Sequence, residues 1–339
     1  MASDLDVLET LCHRYAFGDV RALLPMVGLS EGELRRMRRL CLFGQRLLDL
    51  DAEDFDMTEH GADPDASPTY TALVDRARDC RMPQEPREPR RGALRSLRPA
   101  YALLLEVAGA RHVRNEMANL VAVVHIMEEY LPLLIWESVW GHAGDPLSIG
   151  VDVRGDDSRF GSADRECAHN RADAAACARM LRVDQAPGEG WRAYLDRQHS
   201  NVSHALGVCA AECRDKCGVV NQLPTSVQES LAERCAVALA FGDSTMIKLR
   251  HAAPVGHGFG VPSAAEAAET WEHTRQVLGK RGGVAEAALA EDGYPLPGLP
   301  SLISALADAE IVPSTLLRDT AALAAAKLEA AAATLADAR

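Results

Sequence analysis

His125 and Glu128 stand three apart, and Glu166 and His169 repeat that spacing in the opposite order. On a helix, residues three apart share a face, so each pair offers an imidazole and a carboxylate to one ion. Helical di-iron proteins need two Glu-x-x-His pairs and two further glutamates. Here His125-x-x-Glu128 runs the wrong way, and the set is incomplete. A lone histidine on an apolar helix is more often a hydrogen-bonded core residue. Cys213-x-x-x-Cys217, with His199 and His204 nearby, imitates a zinc site. A cysteine pair carried on a helix lacks the turn that zinc knuckles use, and cysteine packs well in cores. The stripe Trp191, Leu195, Val202, Leu206, Cys209, Cys213 and Cys217 therefore reads as the buried face of one helix over 188–217. The acidic run 49–56 lacks the alternation and glycine of a calcium loop.

A different chemistry attaches to the cations. Lys248, Arg250 and His251 open a long glycine-bearing loop that continues through His257 and Phe259 to Pro262. Long loops on rigid scaffolds are where function concentrates. From 76 to 98, eight arginines face three acids, a local charge of +5 in a chain whose formal net charge is −13. Arg90, Arg91, Arg95 and Arg98 follow a run whose prolines at 83, 86 and 89 exclude a helix. This segment is either a solvated linker or an arm that meets phosphate. Walker, dinucleotide-binding, nucleophile-elbow and HExxH motifs are absent.

These residues need elements to hold them. The chain has 339 residues, 47% hydrophobic and only 5% aromatic, with abundant alanine. That composition favours closely packed helices and predicts a mostly helical, all-α fold with little or no sheet. Two helical lobes joined by the Arg/Pro-rich segment are expected. Residues 1–60 read as an N-terminal helical unit, 61–99 as a linker or arm, 100–217 as a central lobe and 218–339 as a C-terminal lobe. Ser30/Glu33, Ser263/Glu266, Thr225/Gln228 and Ser226/Glu229 fit capping boxes. Residues 100–140 are apolar nearly all round and should be buried, with Pro132 kinking or ending the helix at Tyr130. A short strand is possible at 149–153, and Ser162 should cap a helix reaching Val183. Ser314 should cap the last, alanine-rich helix, which docks on a neighbour or frays. No apolar run of about 20 residues is seen, nor a signal peptide. Nine cysteines, an odd number, then point to reduced thiols inside a cell.

The central stretch resembles the C-terminal lobe of nucleoproteins from non-segmented negative-strand RNA viruses. Leu231–Gly242 corresponds to a buried alanine-rich helix, 243–262 to a glycine-bearing loop, and Ser263–Gly279 to a long Ala/Glu helix. Leu223–Pro224 stands where that family often has an aromatic-proline pair. The resemblance covers about one sixth of the chain. It implies two helical lobes clamping single-stranded RNA by its backbone, without catalysis or cofactor, with self-assembly in cytoplasm, nucleus or virion. The RNA-binding candidates are Lys248, Arg250, His251, His257, Phe259, Arg90, Arg91, Arg95 and Arg98. Two other classes stay open. One is a helical metal or small-molecule enzyme using His125, Glu128, Glu166 and His169. The other is a helical scaffold that binds only protein.

Overall fold

The structure, a computed structural model, describes residues 2–51, 67–149, 190–198, 204–252 and 260–337. Among these residues the fold is all-α, with no strand. The helices are α1 (Ala2–His13), α2 (Phe17–Leu23), α3 (Glu31–Asp49), α4 (Pro68–Cys80), α5 (Arg98–Val113), α6 (Met117–Trp140) and α7 (Trp191–Gln198). They continue as α8 (His204–Ala211), α9 (Gly218–Asn221), α10 (Thr225–Gly242), α11 (Thr245–Lys248), α12 (Ala264–Gly279), α13 (Leu299–Ala307) and α14 (Leu316–Asp337). The expected strand beyond Ile149 and the expected helix from Ser162 lie outside the described residues.

Two of the expected capping boxes form. Ser30 Oγ accepts from the Glu33 amide while Glu33 reaches back to the Ser30 amide, and Ser263 and Glu266 do the same. The pairs Thr225/Gln228 and Ser226/Glu229 do not cap α10. Its cap position is Pro224, with no side-chain bond, and Gln228 turns instead to the Leu223 carbonyl at 2.8 Å. Pro224 already holds extended backbone at the helix start, so the polar pairs fall inside the first turn.

The most apolar helix, α6, does not stop at Tyr130. It runs through Pro132 to Trp140. Pro132 lacks the amide that would bond the Glu128 carbonyl. Burial of Leu131, Leu133, Leu134, Ile135 and Trp136 on both sides offsets that loss, at about 1.5–3 kcal/mol per large side chain. By length and composition α6 is also apolar enough to cross a membrane. Here it packs against α5 and α10 at the centre of the body.

One contiguous buried cluster runs from Leu5 of α1 to Leu328 of α14 and takes residues from every expected unit. The chain closes on itself because α14 packs on α1, α3, α4 and α5. Its small residues permit this: Ala321, Ala324, Ala325 and Ala331 are buried, letting helix axes approach closely. Ser314 Oγ accepts from the Leu316 amide at 3.1 Å, and Glu106 of α5 accepts from Leu317 and Arg318 at 3.0 and 2.9 Å.

The cysteine stripe is corrected in its geometry. The chain between 188 and 217 is not one helix: α8 ends at Ala211, Cys213 lies in the connection that follows, and Cys217 is the residue just before α9, with no side-chain capping bond. The burial it predicted does hold. Cys12, Cys41, Cys80, Cys209, Cys213, Cys217 and Cys235 are all buried free thiols.

Candidate functional site

Two rival sets of sequence-predicted residues meet on one surface of α6. His125 and Glu128 come from the metal hypothesis, Arg250 and Lys248 from the RNA hypothesis. The 3₁₀ turn 249–252 after α11 packs on α6 and brings Arg250 to His125. His125 Nε2 lies 2.9 Å from Glu129 Oε1 and within hydrogen-bonding reach of the Arg250 guanidinium. A guanidinium only donates, so Nε2 serves one of these partners at a time. Nδ1 is buried without a hydrogen bond among the described residues, 4.0 Å from Glu128 Oε2.

The two neighbouring glutamates are tuned oppositely. The hydrogen bond from His125 pulls the Glu129 carboxyl below its ordinary value. Burial pushes Glu128 up, aided by the charges of Glu129 and Asp243 and opposed by His125. Gly242 makes room for Glu128: a Cβ there would stand 2.5 Å from Glu128 Oε1. Each glutamate lines its own cavity. Glu129 borders one of about 730 Å³ with Tyr101, Leu104, Ile126, Trp191 and Leu195. Glu128 borders one of about 400 Å³ with Glu212, Cys235 and Asp243. No group of three or more His, Cys, Asp or Glu side chains is placed to hold a metal ion among the described residues. Glu166 and His169, the other half of the metal hypothesis, lie outside the described residues.

The predicted phosphate ligands are largely engaged within the molecule. Lys248 Nζ bonds the Asp243 carbonyl at 2.6 Å, with the Asp243 carboxylate 3.8 Å away. Arg91 makes a two-pronged pair with Asp145, both contacts at 2.7 Å, and its third nitrogen bonds the Pro86 carbonyl at 2.8 Å. Arg90 reaches Asp75 at 3.4 Å, and Arg98 reaches Glu137 at 3.3 Å. Arg95 is exposed and makes no side-chain bond among the described residues. His257, Phe259 and the side chain of His251 lie outside what the structure describes. Five of the nine candidates, Arg90, Arg91, Arg98, Lys248 and Arg250, are thus engaged by groups of the chain itself.

The arginine-rich segment is instead fastened to the body. Arg81 is buried and paired with Glu88, the Ala143 amide bonds the Leu94 carbonyl at 3.0 Å, and the Trp191 indole bonds the Pro83 carbonyl at 2.8 Å. Gly92 makes this path feasible, because its φ is +46° and a Cβ would lie 2.1 Å from the Arg81 carbonyl oxygen.

Sequence reasoning missed the partners. Asp145, Glu137 and Glu106 lie 39 to 212 residues from the groups they bind, so no local spacing marks them. It also passed over Arg35-Arg36-x-Arg38-Arg39 on α3, although that run is plain in the sequence. Arg35, Arg36 and Arg38 are exposed, and Glu31 pairs with Arg35 at 2.8 Å. No protein-family model matches the chain, and no curated protein or solved structure shows a significant match.

Proposed function

We propose that this chain is a non-catalytic helical binding protein that packages single-stranded RNA by its backbone and associates with copies of itself. The carrying observation is the fastened arginine-rich segment. Arg81, Arg91 and Arg98 are tied to Glu88, Asp145 and Glu137, and this frame holds Arg87 and Arg95 exposed to solvent. Cations on a fixed frame lose little freedom on meeting phosphate. Arg36 and Arg38 on α3 add a second exposed basic patch. The resemblance of 231–279 to viral nucleoproteins supports the same reading. Buried free thiols suit a reducing compartment inside a cell.

The relevant cations on this reading are Arg36, Arg38, Arg87 and Arg95, with Lys248 and Arg250 in supporting structural roles. Binding of a single-stranded RNA measured against salt tests it. Each lost phosphate contact should flatten the log–log slope by about 0.7. Arg87→Ala/Arg95→Ala and Arg36→Ala/Arg38→Ala should flatten it; Lys248→Ala should not. No binding by the wild type at low salt would overturn the reading and leave a scaffold that binds only protein.

A further inference from the structure

The larger cavity carries a proposal of its own, independent of RNA binding. It lies where the end of α3, residues 82–84, α5, α6 and α7 converge. Leu97, Tyr101, Leu103 and Leu104 give it an apolar floor, and all four are buried. The Tyr101 hydroxyl is engaged by the Met127 carbonyl, which orients that side chain away from polar duty in the cavity. Trp191 forms a fixed wall. Its Nε1 donates to Pro83, and its ring stacks on Tyr194 with centroids 5.7 Å apart.

The mouth has the opposite character. Asp49, Asp51 and Glu129 line it together with Arg192. Their side chains are 50%, 44% and 53% exposed. Asp49 has both oxygens engaged, by Arg111 at 2.9 Å and Gln45 at 2.6 Å. Asp51 has only Arg46 among the described residues, at 3.8 Å. Glu129 Oε1 takes the His125 and Arg250 contacts, while Oε2 makes no hydrogen bond among the described residues.

About 730 Å³ is the size of a small-molecule site, and too large for a bare ion. Apolar walls with accepting carboxylates at the mouth favour an apolar body bearing a cation and disfavour the matching anion. We propose that this cavity binds a small organic cation, an amine or guanidinium on a flat apolar body, with the body against Trp191 and the charged head on Glu129.

The test uses 4-phenylbutylamine and 4-phenylbutyrate, which share a body and differ in charge. Binding is read by ligand-observed NMR and by tryptophan fluorescence on the full chain. The amine should bind at least about tenfold tighter than the acid, the effect of one charge-assisted hydrogen bond. Glu129→Gln should weaken the amine by about tenfold with helix content unchanged by circular dichroism. Ala100→Trp, which fills the cavity from α5, should abolish binding; if that variant loses helix content, Glu129→Gln alone decides. No amine binding at about 1 mM, equal affinity for the acid, or an undiminished amine affinity in Glu129→Gln would overturn the proposal.

Discussion

Glu106, in the middle of α5, caps the first turn of α14, accepting the backbone amides of Leu317 and Arg318 at 3.0 and 2.9 Å across more than two hundred residues. One carboxylate thereby joins the interior of the molecule to its C-terminal helix. Removing it leaves two amides without acceptors, so Glu106→Ala should destabilise by about 1–2 kcal/mol and Glu106→Gln by less. Equilibrium urea unfolding of the three proteins checks this. Equal midpoints would show that the cap contributes nothing.

The same residue makes a pH prediction. Burial raises the Glu106 pKa, against the lowering effect of the Arg318 and Leu317 amides. The folded chain therefore holds a proton that the unfolded chain releases within that window. Its contribution is complete below the ordinary carboxylate pKa and declines as pH rises through the raised native value. Wild type should lose stability relative to Glu106→Gln as pH rises from the ordinary carboxylate range through the raised native value. A difference that is flat or of opposite sign would contradict it.

The pair Arg91–Asp145 should behave as a buried ion pair, since the two side chains are only 14% and 7% exposed. Arg91→Ala strands a carboxylate and should cost about 3–5 kcal/mol. Arg91→Lys keeps the charge but not the fork, and should fall between. The double variant Arg91→Met/Asp145→Leu should recover much of the loss. Thermal unfolding of the set would expose an additive outcome, which would mean that the pair is not coupled.

Gly92→Ala tests the turn that fastens the arginine-rich segment. The added methyl meets the Arg81 carbonyl, and the backbone there is left-handed. A loss of about 1–3 kcal/mol is expected, with greater proteolysis at 84–95. Unchanged protease resistance would argue that this path is not fixed.

The thiols should titrate slowly. Burial pushes Cys12, Cys41, Cys80 and Cys235 up to about 12. Cys217 is the exception, lowered by its hydrogen bond with Cys209 and by the Val220 and Val219 amides, against burial. A thiolate reagent followed by peptide mapping should leave the first four unmodified until denaturation and label Cys217 ahead of them. Early labelling of Cys235 would contradict the burial.

Local signals in the chain were enough for the all-α fold among the described residues, for the caps at Ser30 and Ser263, and for the burial of α6 and of the seven described cysteines. Each depends on residues within a turn or two of one another: helix propensity, a three-residue capping spacing, a run of apolar side chains. The same local reasoning failed at Pro132, where burial of the whole helix outweighed one lost hydrogen bond, and at Thr225, where Pro224 set the helix start. It also made one helix of the cysteine stripe, because spacing alone does not show where α8 stops. What tertiary structure decided was the fate of the charges. Arg91, Arg98 and Arg250 look free in sequence, yet Asp145, Glu137 and His125 lie against them only after α6 has packed among α5, α10 and the 249–252 turn. The cavity beside Trp191 has the same origin, since its walls come from five separate stretches of chain. Electrostatic pairing and enclosed volume depend on distance in space, and the spacing of residues along the chain does not encode that distance.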